Sequence, residues 1–153
     1  KVTIPDFEPD TFQLFVEFLY YGRYSYHDNL RNSSKVRDSA KAWVLADYLD
    51  AVEFKNFAIR SLYSIYFPSD HSGPKCGVGP NAIEHCCSKA SEESGLVALY
   101  LSVLVVYWGD TGFISYVGDL SDEWDAIWER HPGFRNDLLR GLGQRKEVRE
   151  QWQ

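Results

Sequence analysis

The residues best suited to metal or nucleophilic chemistry lie in one stretch near the middle of the 153-residue chain. His71, Cys76 and His85 are followed by the adjacent pair Cys86 and Cys87. Imidazole nitrogens and thiolates are the ligands of a tetrahedral zinc site, which needs four ligands at suitable spacing. The chain has no Cys-x-x-Cys pair, and adjacent cysteines on a helix point about 100° apart. The sequence therefore predicts no metal site and no cofactor, and the alternative is a small metal-dependent enzyme built on His71, Cys76 and His85.

Nucleophilic catalysis would need a serine or cysteine beside a histidine and an acid. None of the 4 histidines lies in a Gly-x-Ser-x-Gly setting. His85 and Cys87 are two residues apart on a predicted helix, so their side chains diverge. The glycines between Cys76 and Pro80 lack the Lys-Ser/Thr ending of a phosphate-binding loop. We therefore predict that the chain has no catalytic residues and is not an enzyme.

Two tryptophans, Trp124 and Trp128, are the candidate partner-binding residues. Exposed tryptophans are typical of protein–protein contacts. The surrounding 110–129 segment carries six carboxylates and no lysine or arginine, a setting that suits a basic partner surface. The alternative is that both side chains pack on the strongly apolar helix predicted over residues 96–108.

Composition and charge exclude several classes of protein. The net charge of −6 and pI near 5.2 disfavour nucleic acid as a partner. The longest apolar stretch, Leu96 to Trp108, is too short to span a bilayer. An odd count of 3 cysteines gives no disulfide framework and favours an intracellular location, in the cytoplasm or nucleus. Methionine is absent and the chain begins with Lys1, so we interpret it as part of something longer.

Helical periodicity dominates the chain. One short strand is predicted over Val2–Ile4, and an unpaired strand would seek a partner in another chain. The predicted helices run over Pro9–Tyr21, about Val36–Asp50, about Val52–Phe67, Asn81 to about Ala90, Gly95–Trp108, from Ser121, and over a short stretch after Pro132.

The first helix is predicted to bury most of its aromatic side chains. Its apolar face is expected to be Phe12, Phe15, Val16 and Leu19, extended by Leu14 and Phe18, with Gln13 and Glu17 facing water. The wider aromatic set is interpreted as core rather than as a cofactor site: Phe12, Phe15, Phe18, Tyr20 and Tyr21.

The first 65 residues resemble the C-terminal half of a BTB/POZ domain of the type common in filamentous fungi. The family pattern is a strand, a segment that starts with Asp and ends in Tyr-x-Gly-x-Tyr, and two further helices with characteristic motifs. These features fall on Val2–Ile4, on Asp10 to Tyr24, on Leu45-Ala46-Asp47-Tyr48, and on Phe54-Lys55-Asn56 to Ile59. The region from about Pro80 to Trp108 is similar to the helical extension that often follows.

The resemblance implies a mainly α chain: the helical part of an α+β BTB/POZ-like fold over residues 1–67, a loop over 68–80, and a helical extension over 81–153. It also implies a non-catalytic adaptor that binds proteins, for scaffolding or for recruiting substrates to cullin-type ubiquitin ligases. Relatives form homodimers through the N-terminal half of the domain, which this sequence lacks. The alternative is a structural helical subunit completed by another chain.

Overall fold

Helices account for most of the residues that the structure describes. The structure is a computed structural model that describes residues 7–25, 35–70, 73–114 and 121–144. The helices are α1 (Pro9–Tyr21), α2 (Asp38–Tyr48), α3 (Val52–Tyr66), α4 (Pro80–Lys89), α5 (Gly95–Tyr107), α6 (Ser121–Arg130) and α7 (Pro132–Leu142). Within these ranges no β-strand occurs, and Val78 and Ile114 form an isolated parallel bridge. The predicted mainly α class is confirmed, whereas the strand predicted over Val2–Ile4 lies outside the described residues.

The chain forms two compact units, which divide within α3. The first unit contains α1, α2 and α3 as far as Leu62. The second contains the last turn of α3 from Tyr63 and the helices α4 to α7. The division predicted from the sequence, into residues 1–67, a loop over 68–80 and a helical extension over 81–153, stays a prediction.

Local signals in the sequence account for the ends of α1. Pro9 lies in its first turn, where a missing N–H costs no intrahelical hydrogen bond, and Asp10 lies at the positive end of the helix dipole. Gly22 ends the helix in the left-handed conformation, with φ of 66°, and donates its N–H to the Phe18 carbonyl at 2.8 Å. A residue with a Cβ would be strained at that φ.

The core of the first unit is an aromatic cluster around Phe54 of α3. The Phe54 side chain is 1% exposed, and its ring centroid lies 5.1 Å from Phe15, 5.2 Å from Phe18 and 5.7 Å from Tyr24. The Tyr24 hydroxyl donates to Ser39 Oγ of α2 at 2.9 Å. This cluster therefore joins α1 to α3, and its polar edge reaches α2.

The turn between α2 and α3 occurs at the predicted position. Asp50 takes a φ of 54°, and the Ala51 N–H reaches back to the Ala46 carbonyl at 2.9 Å. This arrangement is a helix C-terminal motif that usually has glycine at the left-handed position, and aspartate is one of the few other residues that adopt it. Lys55 then pairs with Asp47 and lies over the Trp43 ring. The two helices are thereby tied together next to the turn.

Helix α5 is the central element of the second unit and packs against α4 and α7. Its sequence is apolar on nearly every face, and its buried residues are Leu96, Val97, Leu99, Tyr100, Val103, Leu104 and Val105. Ser94 caps its N-terminus by accepting the Val97 N–H at 3.3 Å. Helix α6 packs against α4 and α7. The helix predicted from Gly95 with its Ser94 cap is confirmed.

Candidate functional site

A row of apolar side chains on α1 is exposed to solvent. Tyr20 is 80% exposed, Leu19 65%, Phe12 39% and Val16 36%. These four residues are called the α1 outer face below. Phe12, Val16 and Tyr20 recur every four residues, and Leu19 lies three residues after Val16, so they share one side of the helix. The neighbouring Tyr21 is exposed as well.

The opposite side of α1 supplies the packing. Thr11 and Leu14 are buried, whereas Phe15 and Phe18 are half-buried and contact Phe54. These four residues follow the same helical spacing as the outer face and are called the α1 inner face. The predicted core stripe is therefore wrong for Phe12, Val16 and Leu19, and the wider aromatic stripe is wrong for Tyr20 and Tyr21 as well.

The error has a physical cause. Helix α1 carries two apolar stripes, the predicted core stripe and the inner face, and Phe15 belongs to both. Periodicity alone does not say which stripe packs against the rest of the unit. Glu17, expected to face water, is half-buried, and its carboxylate accepts the Ser25 N–H at 3.0 Å. The residue that indicates which side of α1 is buried is Tyr24, which follows the Gly22 turn. Its ring lies 4.9 Å from the Phe57 ring of α3, on the side of the inner face.

The four residues of the α1 outer face are all uncharged, and the nearest charged residues lie near the ends of the helix. Asp10 is exposed in the first turn, and Arg23 is exposed just beyond the last turn. Within the described part of the chain neither side chain forms an ion pair. Glu8, before the helix, is paired with Lys41 at 2.6 Å. An apolar face without charged residues is expected of the centre of a protein contact surface.

The tryptophans of the second unit form an aromatic cluster of their own. Trp124 and Trp128 stack at 5.0 Å with an interplanar angle of 19°, and Trp108 lies 6.2 Å from Trp128. Trp124 is 2% exposed, and Trp128 is half-buried. Trp124 is thus buried and Trp128 contacts Trp108 after the end of α5, and the partner-binding role of both residues stays a prediction.

The residues suggested as metal ligands do not come together in one site within the described part of the chain. In the part of the chain that the structure describes, no group of three His, Cys, Asp or Glu side chains could hold a metal ion. Cys76 is buried, His85 is half-buried, and His71 lies outside the described residues. The Cys86 and Cys87 sulfurs lie 3.8 Å apart. The contact with the Cys87 thiol and the burial of the Cys86 thiol both raise the pKa of Cys86, which makes it a poor nucleophile.

One polar cluster was not predicted from the sequence. The Glu84 carboxylate of α4 accepts hydrogen bonds from Arg130 Nη2 at 2.8 Å and Ser88 Oγ at 2.8 Å, and it lies 3.2 Å from His131 Nε2. Desolvation raises the pKa of Glu84, but the hydrogen bonds from Arg130, Ser88 and His131 together outweigh it and lower that pKa. Arg130 and His131 lie more than forty residues after Glu84 in the sequence, so no local spacing reveals these two partners.

This cluster predicts a pH dependence of stability. A lowered folded-state pKa stabilises the fold above the unfolded-state value, about 4.3 for Glu, and this contribution is lost as the pH falls through the lowered value. We expect Glu84→Gln to lower the free energy of unfolding by at most about 1 kcal/mol at pH 7, because the pair is partly exposed. The difference from wild type should be smaller at about pH 3 than at pH 7.

Urea unfolding at the two pH values measures this effect. Glu93→Gln is the control, since Glu93 is exposed and forms no ion pair among the described residues. A difference between wild type and Glu84→Gln that stays constant or grows on acidification would contradict the prediction.

The cavities of the second unit differ in size and lining. One of about 40 Å³ lies beside Cys87, His131 and Phe134 and has room for about one water molecule. A wider, open depression of about 420 Å³ lies between α4 and α6, next to the carboxylates of Glu84, Asp122 and Glu123. Neither cavity combines a nucleophile with a base at hydrogen-bond distance, which is the geometry that acyl-transfer chemistry needs.

Among the described residues, no helix has the length and apolar character needed to cross a bilayer. No protein-family model, curated protein or solved structure matches the chain.

Proposed function

We propose that the chain is a protein-interaction domain without catalytic activity of its own, and that the α1 outer face is its binding surface. The observation that carries the proposal is the exposure of Phe12, Val16, Leu19 and Tyr20 along one side of a helix. Removing apolar side chains from water is favourable. A continuous row of exposed ones is therefore typical of a surface that a partner covers.

The packing of the first unit supports this proposal. The α1 inner face is held by the ring contacts of Phe15 and Phe18 with Phe54, and this packing leaves Leu19 and Tyr20 largely exposed. A rigid helix that presents apolar side chains at intervals of three and four residues is a common recognition mode, in which the partner offers an apolar groove or a second helix.

A finer assignment follows from the sequence resemblance. We propose that residues 1–67 correspond to the C-terminal half of a BTB/POZ-like α+β domain and that the chain acts as an adaptor. The order of motifs on α1, α2 and α3 supports it. An experimental structure with Val2–Ile4 paired in a β-sheet would add support, and a helical conformation there would contradict the assignment.

The binding surface can be tested with one matched pair of variants. Leu19→Glu places a carboxylate on the α1 outer face, and Leu139→Glu places the same group on α7 at a side chain of similar exposure, 60% against 65%. Affinity capture from an extract of cells that express the chain should recover the same proteins with wild type and Leu139→Glu. Leu19→Glu should lose them at least tenfold.

Two results would contradict the proposal. The first is equal recovery by both variants, which would place binding elsewhere. The second is the absence of any protein retained by wild type above the level of a bait-free column. Circular dichroism of each variant should match wild type, because both substitutions lie at exposed positions.

A further inference from the structure

Two thiols are in contact near the C-terminal end of α4. The sulfurs of Cys86 and Cys87 lie 3.8 Å apart. Because adjacent side chains on a helix leave the axis about 100° apart, this approach depends on the rotamers of the two cysteines as well as on the backbone. A pair of thiols in contact can be oxidised together to one disulfide bond.

The two thiols differ in their surroundings. Cys86 is buried and donates its S–H to the Ile83 carbonyl at 3.3 Å. Its contact with Cys87 and its burial raise its pKa, so Cys86 keeps its proton. Cys87 is half-buried and borders the cavity of about 40 Å³, which admits a small polar molecule. An oxidant of that size therefore reaches the Cys87 sulfur first.

We propose that Cys86 and Cys87 form a reversible oxidation site, at which hydrogen peroxide converts the two thiols into a disulfide. The Cys87 sulfur attacks one peroxide oxygen and the O–O bond breaks, which gives Cys87 sulfenic acid and one water molecule. The Cys86 sulfur then attacks the sulfenic sulfur and displaces its hydroxyl group, which leaves as a second water with the Cys86 proton. The two sulfurs lose two electrons in total, and the peroxide gains them. This site does not depend on the proposed function of α1.

The disulfide requires a change in the backbone of α4. The Cα atoms of adjacent residues lie about 3.8 Å apart across a trans peptide bond. A disulfide usually joins Cα atoms that are roughly 4.4–6.8 Å apart, so the helical conformation does not fit the closed ring. The last turn of α4 must therefore unwind when the bond forms. Strained disulfides are easily reduced, as a reversible site requires.

The last turn of α4 holds little buried area. Of residues 86–90, all of which the structure describes, Cys86 alone is buried. Ala90 follows the helix in an extended conformation and donates its N–H to the Cys86 carbonyl at 3.0 Å. Ser88 in the same turn donates to the Glu84 carboxylate at 2.8 Å. Unwinding this turn therefore exposes little apolar surface and removes one hydrogen bond from the Glu84 cluster.

Mass spectrometry of the full chain after treatment with hydrogen peroxide tests the proposal. Wild type should lose two of its 3 thiols, and its mass should fall by about 2 Da relative to the reduced chain. Proteolysis after Glu84 separates Cys76 from the pair. The mass loss should lie in the peptide with Cys86 and Cys87, Cys76 should stay reduced, and dithiothreitol should restore all the thiols.

Two variants separate the roles of the sulfurs. Cys87→Ser should slow the loss of thiols roughly tenfold or more, because the sulfur that meets the oxidant is gone. Cys86→Ala should react at Cys87 as wild type does but stop at the sulfenic acid, which dimedone traps. The matched control Cys76→Ser should form the disulfide like wild type. Circular dichroism of each reduced variant should match that of the reduced wild type.

Hydrogen exchange tests the change in the helix. The Ala90 amide should exchange roughly tenfold faster in the oxidised chain and return to its original rate after reduction. Unchanged exchange at Ala90 would contradict the proposal. It would also be overturned by Cys87 sulfinic acid beside an intact Cys86 thiol, by a disulfide between two chains in place of the internal one, or by wild-type thiols that stay reduced.

Discussion

Phe54→Ala is expected to lower the free energy of unfolding by about 3–5 kcal/mol, the usual cost of deleting a buried aromatic ring. Phe54 is 1% exposed, and its ring contacts Phe15, Phe18 and Tyr24. The substitution removes the apolar area that these rings bury and leaves a cavity between α1 and α3. Because these rings join α1 to α3 in the core of the unit, the loss should be near the upper end of the range.

Urea unfolding followed by circular dichroism measures the change. Asn56→Ala is the control, since Asn56 is exposed two residues away on α3, and it should change the free energy of unfolding by less than about 0.5 kcal/mol. Hydrogen exchange should also show reduced protection of the α1 amides in Phe54→Ala. A loss below about 1 kcal/mol would mean that the aromatic cluster does not anchor α1.

The corresponding core substitution in the second unit is Leu104→Ala on α5. Leu104 is 0% exposed, and α5 packs against both α4 and α7. Replacing a fully buried leucine by alanine costs about 2–5 kcal/mol, depending on how far the cavity collapses. We expect the upper half of that range, because a central helix has neighbours on several sides that cannot all move inward.

Ser102→Ala on the same helix is the matched control. Its hydroxyl donates to the Ala98 carbonyl at 2.8 Å, a local bond that contributes little to helix stability. Its free energy of unfolding should stay within about 0.5 kcal/mol of wild type. Equal losses for the two variants would contradict the central place of α5 in its unit.

Local sequence features, each within about one helical turn, predicted the ends of the helices. Gly22 marks the end of α1 and Ser94 the start of α5, since each position needs a specific backbone or side-chain property that few residues supply. The break after α2 was also predicted, although Asp50 rather than glycine takes the left-handed conformation there.

Orientation and long-range contacts were not predictable in the same way. Helix α1 is apolar on two sides, so the choice between Leu14 and Leu19 as the buried leucine depends on where α3 lies. The Glu84 cluster likewise depends on α6 and α7 returning to α4. Such contacts are set by tertiary packing, and a sequence without internal repeats gives no spacing that encodes them.

The exposed apolar face of α1 lies where the orientation of this helix differs from the prediction. Had Phe12, Val16 and Leu19 formed the core as expected, Leu14 and Phe18 would lie on the exposed side of α1 instead. The exposed stripe exists because the inner face, with Leu14 and Phe18, satisfies the packing of the unit by itself.

The orientation of α1 is tested most directly by the same substitution on its two sides. Leu14 is 9% exposed and Leu19 65%, and both lie on one helix, so helix propensity cancels between them. Urea unfolding should show that Leu14→Ala lowers the free energy of unfolding by at least about 2 kcal/mol and Leu19→Ala by less than about 0.5 kcal/mol. A loss for Leu19→Ala that equals or exceeds the loss for Leu14→Ala would contradict the outward orientation of the α1 outer face.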